Sequence, residues 1–363
     1  MIEPKALVER ARSLLEKLCS KVGRSRLIRV MHVCGTHEHT IARHGLRGLL
    51  PGNLEVIPGP GCPVCVCPAE DVDLALALVE SEGVTLCTFG DMLRVPSSTG
   101  RTLDHAKAAG ADVRVVYGPV EAVDLARENP GREFVFFSIG FETTAPVVGV
   151  ELLGECPENL SIICANKTIP PAMELLANMS ALRVDGFLCP GHVATVIGTR
   201  PFDLFSKAYR LPCVVAGFEP HDVMIGLYYL ARMIVNGESR TVNAYSRVVR
   251  PEGNPRALEV IDRVFEQASS RWRGIGRIPG GGYVLKPAFS HLDAKQRFQV
   301  DTGPPVDVPA GCSCHLVIVG RVSPRECPLF GKRCTPINPV GPCMVSHEGT
   351  CNVAARYPSV DHS

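Results

Sequence analysis

The chain has almost no net charge and few aromatic residues. There are 38 Lys and Arg against 37 Asp and Glu, with one Trp and seven Tyr. No basic stripe interleaves with aromatics, so nucleic acid is not expected as a partner. No run of about 18 apolar residues occurs, so no membrane-spanning helix is expected. The first residues, MIEPKALVERARSLLEKLCSK, read as a charged amphipathic helix and lack the apolar core and small-residue cleavage site of a signal peptide. A G-x-x-x-x-G-K-S/T loop and a G-x-S-x-G elbow are both missing, which leaves nucleotide hydrolysis and serine chemistry without support.

What the chain does have is cysteine: sixteen in 363 residues, six of them at Cys312, Cys314, Cys327, Cys334, Cys343 and Cys351. Without a secretion signal the expected compartment is the cytoplasm, where thiols stay reduced unless they are catalytic, redox-sensing or metal-bound. At 45% hydrophobic residues the chain can bury a sizeable core.

Short β-branched or apolar runs at 26–33, 54–57, 84–89, 113–117, 133–139, 160–165, 185–189 and 212–216 predict eight strands, with helical patterns between them. That alternation predicts an α/β fold with parallel sheets covered by helices. The expected layout is two similar parallel-sheet domains, at 1–125 and 126–245, split near 120–132. A helical, loop-rich cysteine domain follows at 246–363. A long helix is expected over 253–272, with loops at GIGRIPGGG and DTGPPVDVP.

The expected strand ends carry unusual residues: Cys34-Gly35-Thr36-His37-Glu38-His39, Gly59-Pro60-Gly61-Cys62, Gly140-Phe141-Glu142 and Cys189-Pro190-Gly191-His192. Ligands of open parallel sheets bind beyond the carboxyl ends of the strands. Cys34 falls where a strand gives way to a helix, a position that favours the thiolate; the alternative is a buried inert Cys. His37 and His39 are two apart and diverge on a helix, so ligation by Cys34 is favoured over a joint Cys/His/His site. Cys62 and Cys65, in G-P-G-C-P-V-C, have the C-x-x-C spacing of a reducible disulfide or of half a zinc site, with Cys67 as a third possible ligand. Glu142 and His192 are candidates for orienting a ligand or relaying a proton, or else for capping helices.

The tail cysteines lie in a Pro- and Gly-punctuated segment with little core of its own, so a metal or iron–sulfur staple is expected. Their spacing does not choose four ligands from six, and disulfides are the alternative. Cys19, Cys87, Cys156, Cys164, Cys189 and Cys213 lie in apolar surroundings and read as packing.

Together C-G-T-H-E-H, G-P-G-C-P-V-C, G-F-E-T-T-A-P, P-G-H-V and the tail C-T-P-x-x-P-x-G-P-C-M-V-S-x-E-G-x-C resemble the HypD family of [NiFe]-hydrogenase maturation factors, over about residues 30 to 355. Two small departures are His315 after Cys314, where Gly is expected, and SHEG where a second Ser is commoner. The resemblance implies a scaffold and redox maturation factor rather than a conventional enzyme. With a HypC-type chaperone it supports assembly of the Fe(CN)₂CO unit, and a HypE-type protein delivers the cyanide. It implies a C-terminal [4Fe–4S] cluster held by Cys312, Cys327, Cys334 and Cys351, with Cys314 and Cys343 as competitors. It also implies that Cys34 holds the iron and that Cys62 and Cys65 form a redox pair near it and can ligate it. His37 or backbone N–H groups are the expected donors to the cyanide nitrogens. Two rival readings are a cluster-linked thiol–disulfide oxidoreductase and a structural zinc protein that recruits partners.

Overall fold

A computed structural model describes residues 3–23, 26–179 and 182–358. Eleven strands are present among them: β1 Ile28–His32, β2 Leu54–Pro58, β3 Thr85–Thr88, β4 Val113–Val115, β5 Phe134–Gly140, β6 Leu160–Asn166, β7 Gly186–Pro190, β8 Cys213–Ala216, β9 Thr241–Asn243, β10 Phe265–Trp272 and β11 Gly276–Leu285. The first eight coincide with the apolar runs read from the sequence. β5 is buried at all seven positions, and β7 at all five. Strands covered by helices on both faces are apolar throughout rather than alternating, which is why those runs are continuous.

Strands β2-β1-β7-β8-β9 form one parallel sheet and β4-β3-β5-β6 another. The expected division near residues 120–132 does not hold, because both sheets take strands from either side of it. β1 pairs with β7, Val30 opposite Gly186, and β3 pairs with β5, Thr85 opposite Phe134. The chain leaves the first sheet after β2, builds the whole second sheet, and returns at β7. Only the second sheet is contiguous in sequence, and one core cluster runs through both.

The long helix expected over 253–272 is also corrected. The helix Pro255–Val264 stops at Phe265, and the chain continues as β10, paired antiparallel with β11. The glycine-rich segment expected as a loop is that partner strand. Phe265 and Trp272 are both buried, and the Trp272 indole N–H donates to Gly281 O at 2.7 Å. Two buried aromatic anchors and a ladder partner outweigh the helical composition between them.

The helix Pro4–Cys19 packs on the helix Pro220–Asn236, burying Ala11, Leu15 and Cys19. Of the cysteines read as packing, Cys19, Cys87, Cys189 and Cys213 are buried, whereas Cys156 and Cys164 are only partly so. Residues 312–358 are mostly loops, with the short α-helices Cys314–Val317, Pro342–Val345 and Thr350–Arg356 among them. Among the described residues no helix is long and apolar enough to cross a membrane.

Candidate metal centre

The carboxyl ends of β1 and β2 meet at one point. Cys34 caps the helix Gly35–Arg43, and the Gly35 N–H donates to Gly61 O at 3.0 Å. A Cβ on Gly61 would stand 2.3 Å from Cys34 N, so only glycine lets the two loops approach this closely. The next residue, Cys62, begins a one-turn helix, and it is bonded to Cys65 across Cα atoms 5.3 Å apart. Cys34 and the Cys62/Cys65 pair, remote in sequence, are therefore neighbours.

Below Cys34 lies a buried polar support. His32 Nδ1 bonds Cys34 O at 3.1 Å, and His32 Nε2 bonds Glu38 Oε2 at 2.7 Å. Arg47 closes the group with a donor 2.6 Å from the same oxygen. Burial by itself raises the Glu38 carboxyl, but Arg47 and His32 outweigh it and hold the pKa at about 2. Glu38 is ionised, and its network orients the backbone that presents the thiol.

The Cys34 thiol is not acidic, contrary to the expectation from its place at a helix start. Burial, helped by the negative charge of Glu348, pushes it up to about 12, against the backbone amides of His37 and Thr36 and the Thr36 hydroxyl. Desolvation of a thiolate here exceeds what one helix terminus returns. Glu348 comes from the cysteine-rich tail. The Thr36 hydroxyl donates to its Oε1 at 2.6 Å, and a Cβ on Gly35 would stand 2.4 Å from Glu348 Cβ. Sequence reasoning passed over Glu348; its only signal was its place in the S-H-E-G-x-C segment.

His37 also behaves differently from expectation. Its Nε2 faces Gly217 O at 3.0 Å, and a carbonyl accepts only from a protonated nitrogen. Burial lowers the pKa to about 3, so the ring stays neutral and its Nδ1, buried without a partner, is an acceptor. In this tautomer the imidazole has no N–H left to offer a further acceptor, and the backbone amides of Thr36 and His37 donate to the Cys34 sulfur. His192 stands on the same side, stacked on Phe218 with centroids 3.8 Å apart, and Phe218 in turn meets His37 at 4.9 Å. Glu142 is not part of this group. It lies at the end of β5 in the other sheet, where its Oε1 accepts the Ile169 N–H at 2.8 Å at the start of the helix Ile169–Ala177.

All six tail cysteines line one cavity, together with Phe330, Gly341 and Met344. A Cβ on Gly341 would lie 2.7 Å from Cys312 Sγ and 3.4 Å from Cys314 Sγ, so the glycine keeps a space that any side chain would fill. A hydrogen bond from the Cys314 thiol, joined by the Cys314 backbone amide and Arg273, lowers Cys312 to about 7. Cys314, as the donor, is raised. Cys351 is raised by its hydrogen bond with Cys343 and by burial. Among the described residues no three Cys, His, Asp or Glu side chains could hold a single metal ion. The thiols are instead spread around a volume. Soft sulfur donors around an otherwise apolar cavity suit an iron–sulfur cluster. The cavity abuts the first site: the helix Pro342–Val345 packs on Pro63–Val66, and Thr350–Arg356 packs on Gly35–Arg43.

Comparison with known proteins agrees with this arrangement. The model of the family described as HypD, Hydrogenase formation hypA family, matches residues 9–358. The hydrogenase maturation factor HypD2 of Bradyrhizobium diazoefficiens is 44% identical over 339 residues, covering 91% of this chain and 89% of its own. The hydrogenase maturation factors HypD of Rhizobium leguminosarum and Azotobacter vinelandii are each 42% identical, covering 96% of this chain and 92% and 93% of their own.

Proposed function

Because this chain belongs to the HypD family of hydrogenase maturation factors, we propose that it is the scaffold on which the Fe(CN)₂CO unit of a [NiFe]-hydrogenase is assembled. The iron is its cargo, and a HypC-type chaperone and a HypE-type cyanide donor are its partners, meeting it in the cytoplasm. The observation that carries this reading is the convergence at Cys34. A thiol, the Cys62/Cys65 pair and the tail residue Glu348 come together beside a cavity of six further thiols.

Cys34 presents its sulfur to the iron as a thiolate. A thiol held near 12 keeps its proton until a metal displaces it, so the free protein is protected from alkylation and oxidation. The backbone amides of Thr36 and His37 hydrogen-bond the sulfur and orient it, and the Glu348 carboxylate is the acceptor for the departing proton. Opening the Cys62–Cys65 bond takes up two electrons and two protons, and closing it returns them; both sulfurs become iron ligands only in the open form. The exposed His192 and half-buried Phe218 stack at the rim of the site.

Cys312, Cys327, Cys334 and Cys351 hold a [4Fe–4S] cluster in this reading. They are 6–8% exposed, whereas Cys314 and Cys343 are 4% and 0% exposed. The two deeper thiols hydrogen-bond to Cys312 and Cys351. When bound, such a cluster supplies one-electron transfer.

The direct test is Cys34→Ala, purified anaerobically beside the unaltered protein, with iron, sulfide and visible absorbance measured on each. Loss of iron beyond the cluster's share, with cluster absorbance kept, supports the scaffold role; unchanged iron overturns it. The disulfide between Cys62 and Cys65 favours one rival, a cluster-linked thiol–disulfide oxidoreductase. That rival needs no iron beyond the cluster.

A further inference from the structure

Between the thiol cavity and the Cys62–Cys67 loop the protein buries a positive charge that makes no ion pair with a side chain among the described residues. Arg273 is 1% exposed. Its backbone N–H donates to Val66 O at 2.9 Å, tying it to the loop. The following residue, Gly274, is pressed so closely on the tail that a Cβ would stand 2.5 Å from His315 Cβ. Arg273 is thus fixed between the loop and the Cys312–Cys314 segment.

Its guanidinium is only partly satisfied. Nε donates to Asp307 O at 2.8 Å and Nη2 to Pro96 O at 2.7 Å, both neutral carbonyls. Nη1 is buried and has no hydrogen-bond partner among the described residues. Burial lowers the Arg273 pKa, and the neighbours that oppose this are, in order, Cys314, Cys67, Asp307 and Asp73. Asp307 is already engaged by Arg271 and by the Ala69 N–H. A second cation stands nearby. Lys167 is 3% exposed, bonds only the Ser270 hydroxyl, at 2.8 Å, and acts on Cys67 and Cys164.

Burying a cation is costly unless an anion pairs with it. Here the unfilled guanidinium donor of Arg273, whose charge acts on Cys312 and Cys314, stands where an anion is missing, and the thiol cavity is where that anion belongs; Lys167 adds a second positive charge beside Cys67. Four thiolates around an iron–sulfur core carry net negative charge, and that charge grows by one on reduction. We propose that Arg273, with Lys167 as a second cation, offsets the negative charge of the cluster-bearing thiolates and so holds the cluster's reduction potential up. This inference rests on the cluster reading of the cavity. It assigns both residues a role that no motif or cysteine spacing suggested.

The test uses the full chain reconstituted anaerobically with iron and sulfide, as wild type, Arg273→Gln, Arg273→Lys and Lys167→Gln. Iron and acid-labile sulfide are assayed, and the midpoint potential is read by paramagnetic resonance during reductive titration. Arg273→Gln is expected to lower the midpoint by at least the ~59 mV of a tenfold change in a one-electron equilibrium. Lys167→Gln is expected to lower it less, and Arg273→Lys, which keeps the charge, to restore most of the loss. A loaded Arg273→Gln with the wild-type midpoint overturns the inference. If that variant does not fold, a loaded Lys167→Gln with the wild-type midpoint overturns it equally. A wild-type chain that takes up no iron or sulfide overturns the cluster reading itself, a different and separately visible failure.

Discussion

Thr36 donates its hydroxyl to the Glu348 carboxylate at 2.6 Å, joining positions 312 residues apart. Through this contact the cysteine-rich tail reaches the helix start that carries Cys34. Glu348→Gln keeps the side-chain shape and an acceptor for Thr36 but removes the charge that raises Cys34. Cys34 is therefore expected to alkylate faster with iodoacetamide at pH 8 in that variant, read peptide by peptide by mass spectrometry. An unchanged or slower rate would mean that burial alone holds the thiol protonated.

Gly61 is needed for the approach of the two loops. A methyl group there would lie 2.3 Å from Cys34 N, far inside contact distance, and the obstacle is backbone rather than a side chain that can swing away. Gly61→Ala is expected to cost roughly 1–3 kcal/mol. It should lower the thermal midpoint and release the Cys62/Cys65 segment from Cys34. Unaltered melting together with full iron retention would contradict the close approach.

Glu142 makes a prediction in pH. Burial raises its carboxyl from 4.5 to about 7, against the amides of Glu142 and Ile169. Between these values the folded chain keeps a proton that the unfolded chain has lost, so this group's contribution to stability falls as pH rises from 4.5 to 7 and is constant above. Glu142→Gln removes that dependence. The variant should gain stability relative to wild type on going from pH 5 to 8, on the order of 2–3 kcal/mol for the full shift. Denaturant unfolding at the two pH values measures it. Parallel pH dependence in both proteins would show that the carboxylate is already ionised when folded.

How much of this was legible in the sequence depends on whether the signal was local. The eight apolar runs became β1 to β8 because covered parallel strands need continuous β-branched and aromatic residues, and Gly or Pro directly follows six of the runs. The grouping of strands was not legible. β1 lies beside β7, so their pairing depends on contacts more than 150 residues apart, such as the Arg29 N–H to Asp185. The segment Phe265–Trp272 has helical composition, and its strand state comes from a partner whose glycines look like a loop.

The site divides in the same way. Cys34, Cys62, Cys65 and the six tail cysteines announced themselves by residue type and clustering. Arg273 and Lys167 are single charged residues without a spacing pattern, and their burial singles them out, with an unfilled donor on Arg273; Glu348 is singled out by its contact with Thr36. His37 was visible as a candidate, but its role turned on which nitrogen Gly217 O engages, which no sequence reveals.

The scaffold role is tested most directly by infrared spectroscopy of the protein purified anaerobically with a HypC-type partner, with iron and sulfide assayed on the same sample. The predicted result is cyanide and carbonyl stretching bands, with more iron than the cluster requires, and loss of both bands in Cys34→Ala. A sample with a full cluster, no such bands and no extra iron would contradict the assembly role and leave the Cys62/Cys65 oxidoreductase reading in its place.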